Sequence, residues 1–475
     1  MTGTADIGIV GLGVMGENLA INMESQGFSV VGFDLDESKR ASFAHRTQGK
    51  RALAAESPEA FVAALARPRR IFMMVPAGRA VDAVIATFRP HLQPGDVFID
   101  GGNTHFTDTE RRIRELEASG ILFIGSGVSG GEEGALKGPS IMPGGNASAW
   151  PLVKPILQGI AARTPGGDIC CDWIGSGGSG HFVKMVHNGI EYGDMQMICE
   201  AYALMDRLLG LSADEIADVF TAWNQGELDS YLVDITAAVL RQKDEATGRP
   251  LVDVILDVAG QKGTGKWTSQ VALDLGSPAQ TIVEAVFVRM ISGLKEERER
   301  AARIFPNPGL QVSLDRTVFI EQIRQALYAS KICSYAQGFQ MLRAADETYG
   351  WGLDLGGISQ LWRAGCIIRA AFLGRIKEAF DRDPALANLL LDPFFADALN
   401  QAQAAWRSVI STAILSGTAV PAMTSALTYF DSYRSERLPA NLLQAQRDAF
   451  GAHRYERVDA PRGQFFHTDW GLGNR

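Results

Sequence analysis

The sequence predicts an α/β, Rossmann-type doubly wound domain over residues 1–177. A large all-α domain with a duplicated helical unit follows over 178–437, and an extended C-terminal tail over 438–475. Three observations predict this. Short apolar runs alternate with helix-like segments in the first third of the chain, the pattern of βαβ units around a parallel sheet. Strand signals nearly vanish after a glycine-rich break at Gly175–Gly180, and long helical patterns run to about Leu427. From Leu438 onward little helical periodicity remains beyond one short stretch, and Pro439, Pro461 and several glycines interrupt the chain.

The first run, Ile7–Val10, leads into Gly11-Leu12-Gly13-Val14-Met15-Gly16 and then a helix. In this GxGxxG pattern Gly11 allows the tight turn, Gly13 lets backbone approach a pyrophosphate, and Gly16 lets helix pack on strand. The helix start offers free N–H groups and partial positive charge to phosphates. Gly11, Gly13, Val14, Met15 and Gly16 are therefore cofactor-site residues. The second run, Val30–Asp34, ends in an acid 18 residues after Gly16, where a carboxylate accepts hydrogen bonds from an adenosine ribose. A 2′-phosphate would face Asp34 and Asp36, with Leu35 standing where an arginine could have clamped it, so NAD is favoured over NADP. Lys39 and Arg40 lie within reach and could soften this, against their plainer reading as solvated charges on the next helix. The runs Ile71–Val75 and Val97–Asp100 end in Val75-Pro76-Ala77 and Gly101-Gly102-Asn103. Ligands of open α/β sheets sit at the carboxyl ends of strands, which makes Val75, Ala77 and Asn103 candidates for nicotinamide and ribose contacts.

Ile121–Ile124 is a fifth run. Gly125–Gly145 reads as loop around a short strand at Ile141–Met142, followed by a helix near Ala147–Ala161 and a last strand near Ile169–Trp173. Within that loop, Gly125–Gly131 offers backbone N–H groups and hydroxyls to a carboxylate or phosphate.

The helical part opens on HFVKMVHNGIEYGDMQ. Lys184, His187 or Asn188, and Glu191 fall at i, i+3/i+4 and i+7, on one helix face among apolar neighbours. Burial lowers a lysine pKa and raises that of a glutamate, so the pair suits two separate proton transfers near neutral pH. Gln261–Lys266 is a basic glycine-rich loop without Walker spacing, and Arg289 stands in an apolar run where an arginine is usually paired with a carboxylate or a ligand phosphate. Ile190–Met205 with Leu211–Phe220 can be laid on Ile332–Glu347 with Leu353–Trp362. Lys184 then falls on Ala326 and Glu191 on Cys333, as in a working copy beside a scaffold copy.

Composition narrows the function. The net charge of −9, from 45 Lys plus Arg against 54 Asp plus Glu, argues against a nucleic-acid binder. No apolar run approaches membrane-spanning length, and Met1–Asp6 runs into the first strand without a signal-like segment, so a cytoplasmic protein is expected. Cys170, Cys171, Cys199, Cys333 and Cys366 form no CxxC pair and the seven histidines show no zinc-like spacing, so neither disulfides nor a metal is expected.

Taken together, GLGVMGENLA, DGGNTHF, GSGVSGGEEGA, HFVKMVHNGIEYGDMQ, GQKGTGKW, LPANLLQAQRDAFGAH and FFHTDW resemble the decarboxylating 6-phosphogluconate dehydrogenases from Ile7 to Trp470. The resemblance implies oxidation of the C3 hydroxyl of 6-phosphogluconate, then loss of CO2 to give ribulose 5-phosphate, in the pentose phosphate pathway or gluconate utilisation. It implies Lys184 as general base, whose ammonium then polarises the ketone, and Glu191 as the acid that protonates C1 of the enediol. It implies that Asn103, Ser129, Gly130, Gly131, His187 and Asn188 hold the sugar acid and that Tyr192, Lys262 and Arg289 bind its phosphate. Arg447 and His453 match groups donated to a neighbouring subunit, which implies a homodimer with exchanged tails.

The chain departs from the pattern of NADP-using members, which typically carry Asn-Arg-Thr where it has Asp34-Leu35-Asp36 and often lysine where it has Pro76. The expectation is an NAD-preferring enzyme with weaker use of NADP. Rival readings are a non-decarboxylating β-hydroxyacid dehydrogenase, which should not need Arg447 or His453, and an inactive NAD-binding protein, against which the retention of Lys184 and Glu191 argues.

Overall fold

The computed structural model describes residues 4–307 and 314–471. Eight strands form one sheet: β1 (Ile7–Val10), β2 (Val30–Phe33), β3 (Ala52–Ala54), β4 (Arg70–Met73), β5 (Val97–Asp100), β6 (Leu122–Ser129), β7 (Ser140–Gly145) and β8 (Gly175–Ser176). Their order is β3-β2-β1-β4-β5-β6-β7-β8. The strands pair in parallel except β6 with β7. Helices α1 (Val14–Ser25), α2 (Glu37–Arg46), α3 (Pro58–Ala64), α4 (Arg79–Phe88), α5 (Phe106–Glu117), α6 (Gly131–Lys137) and α7 (Trp150–Ile160) connect them. Period-2 alternation sends successive strand residues to opposite faces. Ile9, Phe72 and Ile99 enter one buried cluster, and Val10, Met73 and Phe98 the other. The order reverses between β1 and β4, which opens a crevice at their carboxyl ends.

The structure corrects the sequence reading of Gly125–Gly145. The stretch is not a loop: β6 continues through Ser129, and after α6 the chain returns antiparallel as β7. Gly125 and Gly127 are strand glycines that leave room for a helix. A Cβ on Gly125 would lie 2.6 Å from the His181 ring, and one on Gly127 2.3 Å from Lys184 Cβ. The strand expected at Ile169–Trp173 is reduced to isolated bridges, and the glycine-rich break itself supplies β8. The edge strand β3, short and alanine-rich, carries no strand signal in the sequence.

Beyond β8 lie α8 (Ser179–Leu209), α9 (Ala213–Trp223), α10 (Tyr231–Arg241), α11 (Thr264–Asp274), α12 (Gln280–Ser292), α13 (Lys295–Ile304), α14 (Arg316–Tyr349), α15 (Leu355–Leu361), α16 (Leu373–Arg382), α17 (Pro393–Ser416) and α18 (Pro421–Tyr433). The long helices α8 and α14 pack together, and each ends at a glycine in the left-handed region, Gly210 and Gly350. A shorter helix follows each: Ser212 starts α9 with a capping box to Glu215, and Asp354 caps α15. The first half of α8 also packs on β6 and β7, so one helix joins sheet and helical layers. The buried Glu200 carboxylate on α8 accepts the Ala422 and Met423 N–H groups at the start of α18 (2.8 and 2.9 Å). Among the described residues no helix is long and apolar enough to cross a membrane.

The chain from Leu427 onward is a compact unit of its own. The extended tail expected from the sequence instead folds on itself. Helix α19 (Ala440–Gly451) carries buried Asp448, whose carboxylate accepts the Arg454 and Thr468 N–H groups, accepts Trp470 Nε1–H and meets His467 Nδ1. A bridge between Tyr455 and Phe466 closes the unit. These partners are 6 to 22 residues away along the chain, beyond the range of helical or strand periodicity.

Candidate active site

At the β1/β4 switch point a cavity of about 380 Å³ is lined by Gly11, Gly13, Asp34, Leu35, Lys39, Val75 and Pro76, among others. An added Cβ would meet Gly11 O at 1.9 Å on Gly16 but nothing within 4 Å on Gly13. Gly16 is thus fixed by packing, and Gly13 leaves backbone open to a ligand. Asp34 closes the cavity at the end of β2. Its Oδ2 accepts Leu12 N–H (2.8 Å) and its Oδ1 accepts Asp36 N–H (2.9 Å). Lys39 Nζ approaches to 3.6 Å, and Arg40 turns back onto the Asp34 and Leu35 carbonyls. These features fit a dinucleotide: glycine backbone and the α1 start for the pyrophosphate, Asp34 for the ribose. Val14, the first residue of α1, and Ala77, on the turn after β4, are exposed and do not line the cavity.

A second cavity, of about 680 Å³, lies against α8. It collects Met15, Asn103, Ser129, Gly130, Gly131, Lys184, Asn188, Glu191, Tyr192, Lys262 and Arg289 from segments far apart in the chain. His187 stands behind this wall. Its Nε2 is 3.2 Å from Ser129 Oγ, and its Nδ1 is 3.4 Å from Lys184 Nζ and 3.1 Å from Asn188 Oδ1. Asn188 Nδ2 donates to Thr264 Oγ1 (3.1 Å). The end of β6, the face of α8 and the start of α11 are thereby tied in one row.

Electrostatics separates the two proton-transfer groups. Burial pushes the Lys184 ammonium below the usual lysine range, against the opposing pull of Glu191. Burial pushes the Glu191 carboxyl up, against Lys184 and Arg289. Burial, reinforced by Lys184, pushes His187 well below its ordinary value, so it is a neutral hydrogen-bonding group near neutral pH. The Arg289 guanidinium lies 3.5 Å over the Tyr192 ring and donates to Gly260 O (3.3 Å). It forms no ion pair among the described residues, which leaves its charge free for an anion in the cavity.

Sequence reasoning missed Thr264, Met195 and Ile367, which line the same cavity. Thr264 lies inside the Gln261–Lys266 loop already singled out, whereas Met195 and Ile367 are apolar and carry no chemical signal. The fit at Gly130 was also invisible: its φ is +126°, and a Cβ there would lie 2.6 Å from Gly365 O. Arg447 and His453 belong to the unit that begins at Leu427. There Arg447 Nη1 donates to Gln444 Oε1 (3.1 Å), and the His453 ring packs on Phe450. No group of three His, Cys, Asp or Glu suited to a metal occurs among the described residues.

Gly127 yields a direct prediction. A Cβ there must displace the stem of Lys184. Gly127→Ala should cost about 1–3 kcal/mol of stability, as overpacking does. It should also lower kcat by about 10²-fold through displacement of the base, with cofactor affinity retained. Thermal melts, steady-state kinetics and a cofactor titration check this, and normal turnover would show that α8 has slack here.

A dinucleotide cleft at a sheet switch point, beside a cavity holding a buried lysine and carboxyl with opposed pKa shifts, defines a nicotinamide-dependent oxidoreductase. Family models agree in detail. The NAD binding domain of 6-phosphogluconate dehydrogenase matches residues 6–175, and the C-terminal domain of 6-phosphogluconate dehydrogenase matches residues 180–470. The chain is 57% identical over 465 residues to the NADP(+)-dependent, decarboxylating 6-phosphogluconate dehydrogenase of Bacillus subtilis (strain 168), covering 98% of each. It is 54% identical over 468 residues to the decarboxylating 6-phosphogluconate dehydrogenase of Homo sapiens, covering 98% of this chain and 96% of that one. Among solved structures, Plasmodium falciparum 6-phosphogluconate dehydrogenase, described in its apo form and with its cofactor NADP+ and its substrate 6-phosphogluconate, superposes with a TM-score of 0.95. That match has 40% identity and covers 98% of this chain and 100% of the other. The chain belongs to the decarboxylating 6-phosphogluconate dehydrogenase family.

Proposed function

We propose that the chain catalyses oxidative decarboxylation of 6-phosphogluconate to ribulose 5-phosphate and CO2, with NAD as the preferred oxidant. The observation that carries the chemistry is the Lys184–Glu191 face of α8, backed by His187 and gathered in one cavity with Lys262 and Arg289. A bound nicotinamide supplies the two-electron oxidation at C3. Lys184, whose hold on its own proton burial weakens, accepts the C3 hydroxyl proton. The ammonium so formed faces the new ketone oxygen and stabilises the negative charge that builds there as the C1 carboxylate leaves as CO2. Glu191, whose hold on its proton the same burial strengthens, delivers a proton to C1 of the resulting enediol. Asn103, Ser129, Gly130, Gly131, His187 and Asn188 orient the sugar acid. Tyr192, Lys262 and Arg289 take the phosphate, joined by Arg447 and His453 of a second copy in a homodimer with exchanged tails. A cytoplasmic setting belongs to the same reading.

The preference for NAD is supported by Asp34, which two backbone N–H groups hold at the ribose position, and by Leu35, 88% exposed, where a phosphate would need a cation. The Bacillus subtilis relative is NADP(+)-dependent; the preference proposed for this chain rests on its own Asp34 and Leu35. The test is reduction followed at 340 nm with 6-phosphogluconate and either cofactor while CO2 is trapped. One CO2 per reduced cofactor and a higher kcat/KM with NAD are expected. NADP ahead of NAD at matched ionic strength would overturn the preference alone. No CO2 would overturn the reaction.

A further inference from the structure

One turn beyond Glu191 on α8 lies an ion pair that the scheme above does not use. Asp194 and Lys331 are both buried, and Lys331 Nζ, from α14, donates to Asp194 Oδ2 at 2.8 Å. Tyr335, one turn further along α14, donates to the same oxygen (3.3 Å) and to Ile368 O (3.1 Å). Asp194 Oδ1 has no hydrogen-bond partner among the described residues. A buried ion pair is a poor source of stability, since apolar residues of similar volume serve as well or better. Its location therefore calls for another reason. Residues at i and i+3 are neighbours on a helix surface, so Asp194 sits beside Glu191 at the back of the catalytic cavity.

We propose that the Asp194–Lys331 pair is a positioning device that adds to the proton affinity of Glu191, through the Asp194 carboxylate held one turn away on the same helix. This rests on the reading of Glu191 as the acid. The other charged or titratable groups that face Glu191 are Lys184 and His187 on α8, Arg289 on α12, Lys262 before α11, and Tyr335 on α14. The cations Lys184 and Arg289 favour the carboxylate form, and His187 is neutral. Burial favours the protonated form, and Asp194 is the anion that adds to it. Without Asp194, burial alone opposes the pull of the nearby cations on the Glu191 proton.

The two single charge removals should act in opposite directions, which a purely structural role cannot produce. Asp194→Asn removes the anion and leaves Lys331 uncompensated. The alkaline limb of the kcat–pH profile, where Glu191 loses its proton, should then move down by about one unit. Lys331→Met leaves the anion unpaired, and the limb should move up. Lys331→Arg, which keeps the charge, should leave the limb in place. Each single variant has its own required sign, so one that folds suffices for the test. Limbs that stay put in the singles, or that move in the same direction, overturn the proposal. Glu191→Gln separates this from failure of the underlying reading: if the alkaline limb survives in that variant, Glu191 is not the acid. If it disappears there while Asp194→Asn leaves the limb unmoved, only the role of the ion pair falls.

Discussion

Replacing Lys184 with Met should lower kcat by about 10²–10⁴-fold, the range of a lost general base. Oxidation and CO2 release should fall together, because one nitrogen serves both steps. Cofactor affinity should be unchanged, since Lys184 lies outside the cleft lined by Gly11, Gly13 and Asp34. Lys184→Arg sharpens the argument. A guanidinium keeps the positive charge but cannot be deprotonated at working pH. It should be nearly as inactive as Met if the lysine acts as a base, and largely active if only its charge matters. Stability should move the other way. Burial lowers the Lys184 pKa in the folded state, so the unfolded chain binds the proton more readily and stability rises with pH across the interval between the two values. Below the folded-state pKa the burial penalty is complete, and there Lys184→Met should raise Tm most. Near-normal turnover by Lys184→Met would sink the assignment of the base.

How much of this was legible in the sequence depended on how local each cause is. The dinucleotide half of the fold was readable because its signals are short-range: apolar runs, turn glycines, and an acid at the end of β2. The Lys184–Glu191 face was readable because two turns of one helix are enough to define it. The continuation of β6 was not, because Gly125 and Gly127 owe their identity to α8, packed on them from more than 50 residues further along. Glycine otherwise signals a break, so the strand looked like a loop. The tail read as extended because Asp448 gathers partners through hydrogen bonds rather than through an apolar period. The Asp194–Lys331 pair spans 137 residues, and no spacing rule connects them. What a single sequence conceals here is the long-range steric or polar partner, while the identity of each chemical group is in plain view.

The choice of cofactor should be reversible with two substitutions. Asp34→Asn combined with Leu35→Arg should shift the ratio of kcat/KM values towards NADP by about 10²–10³-fold, and the magnitude follows from charge. A 2′-phosphate within about 4 Å of the Asp34 carboxylate is repelled by about 4 kcal/mol per unit charge at an effective dielectric constant of 20. Salt at the partly open cleft reduces this to roughly 1–2 kcal/mol. An arginine replacing Leu35 adds about 1.5–3 kcal/mol through charge-assisted hydrogen bonds to the phosphate. Lys39 already approaches Asp34 to 3.6 Å; freed of that partner, it can turn to the phosphate. Asp36 is best left in place, because its carboxylate caps α2 through Ser38 N–H (2.9 Å). The exchange has a cost on the NAD side as well. Asp34 accepts from both Leu12 and Asp36, and an amide can present an oxygen to only one of them, so NAD affinity should fall in Asp34→Asn alone. A Leu35→Arg single variant separates the contributions: it should improve NADP use while leaving NAD use near the parent value. If the double variant keeps the parent ratio, the discrimination lies elsewhere in the cleft, and the reading of Asp34 as the selecting residue is wrong.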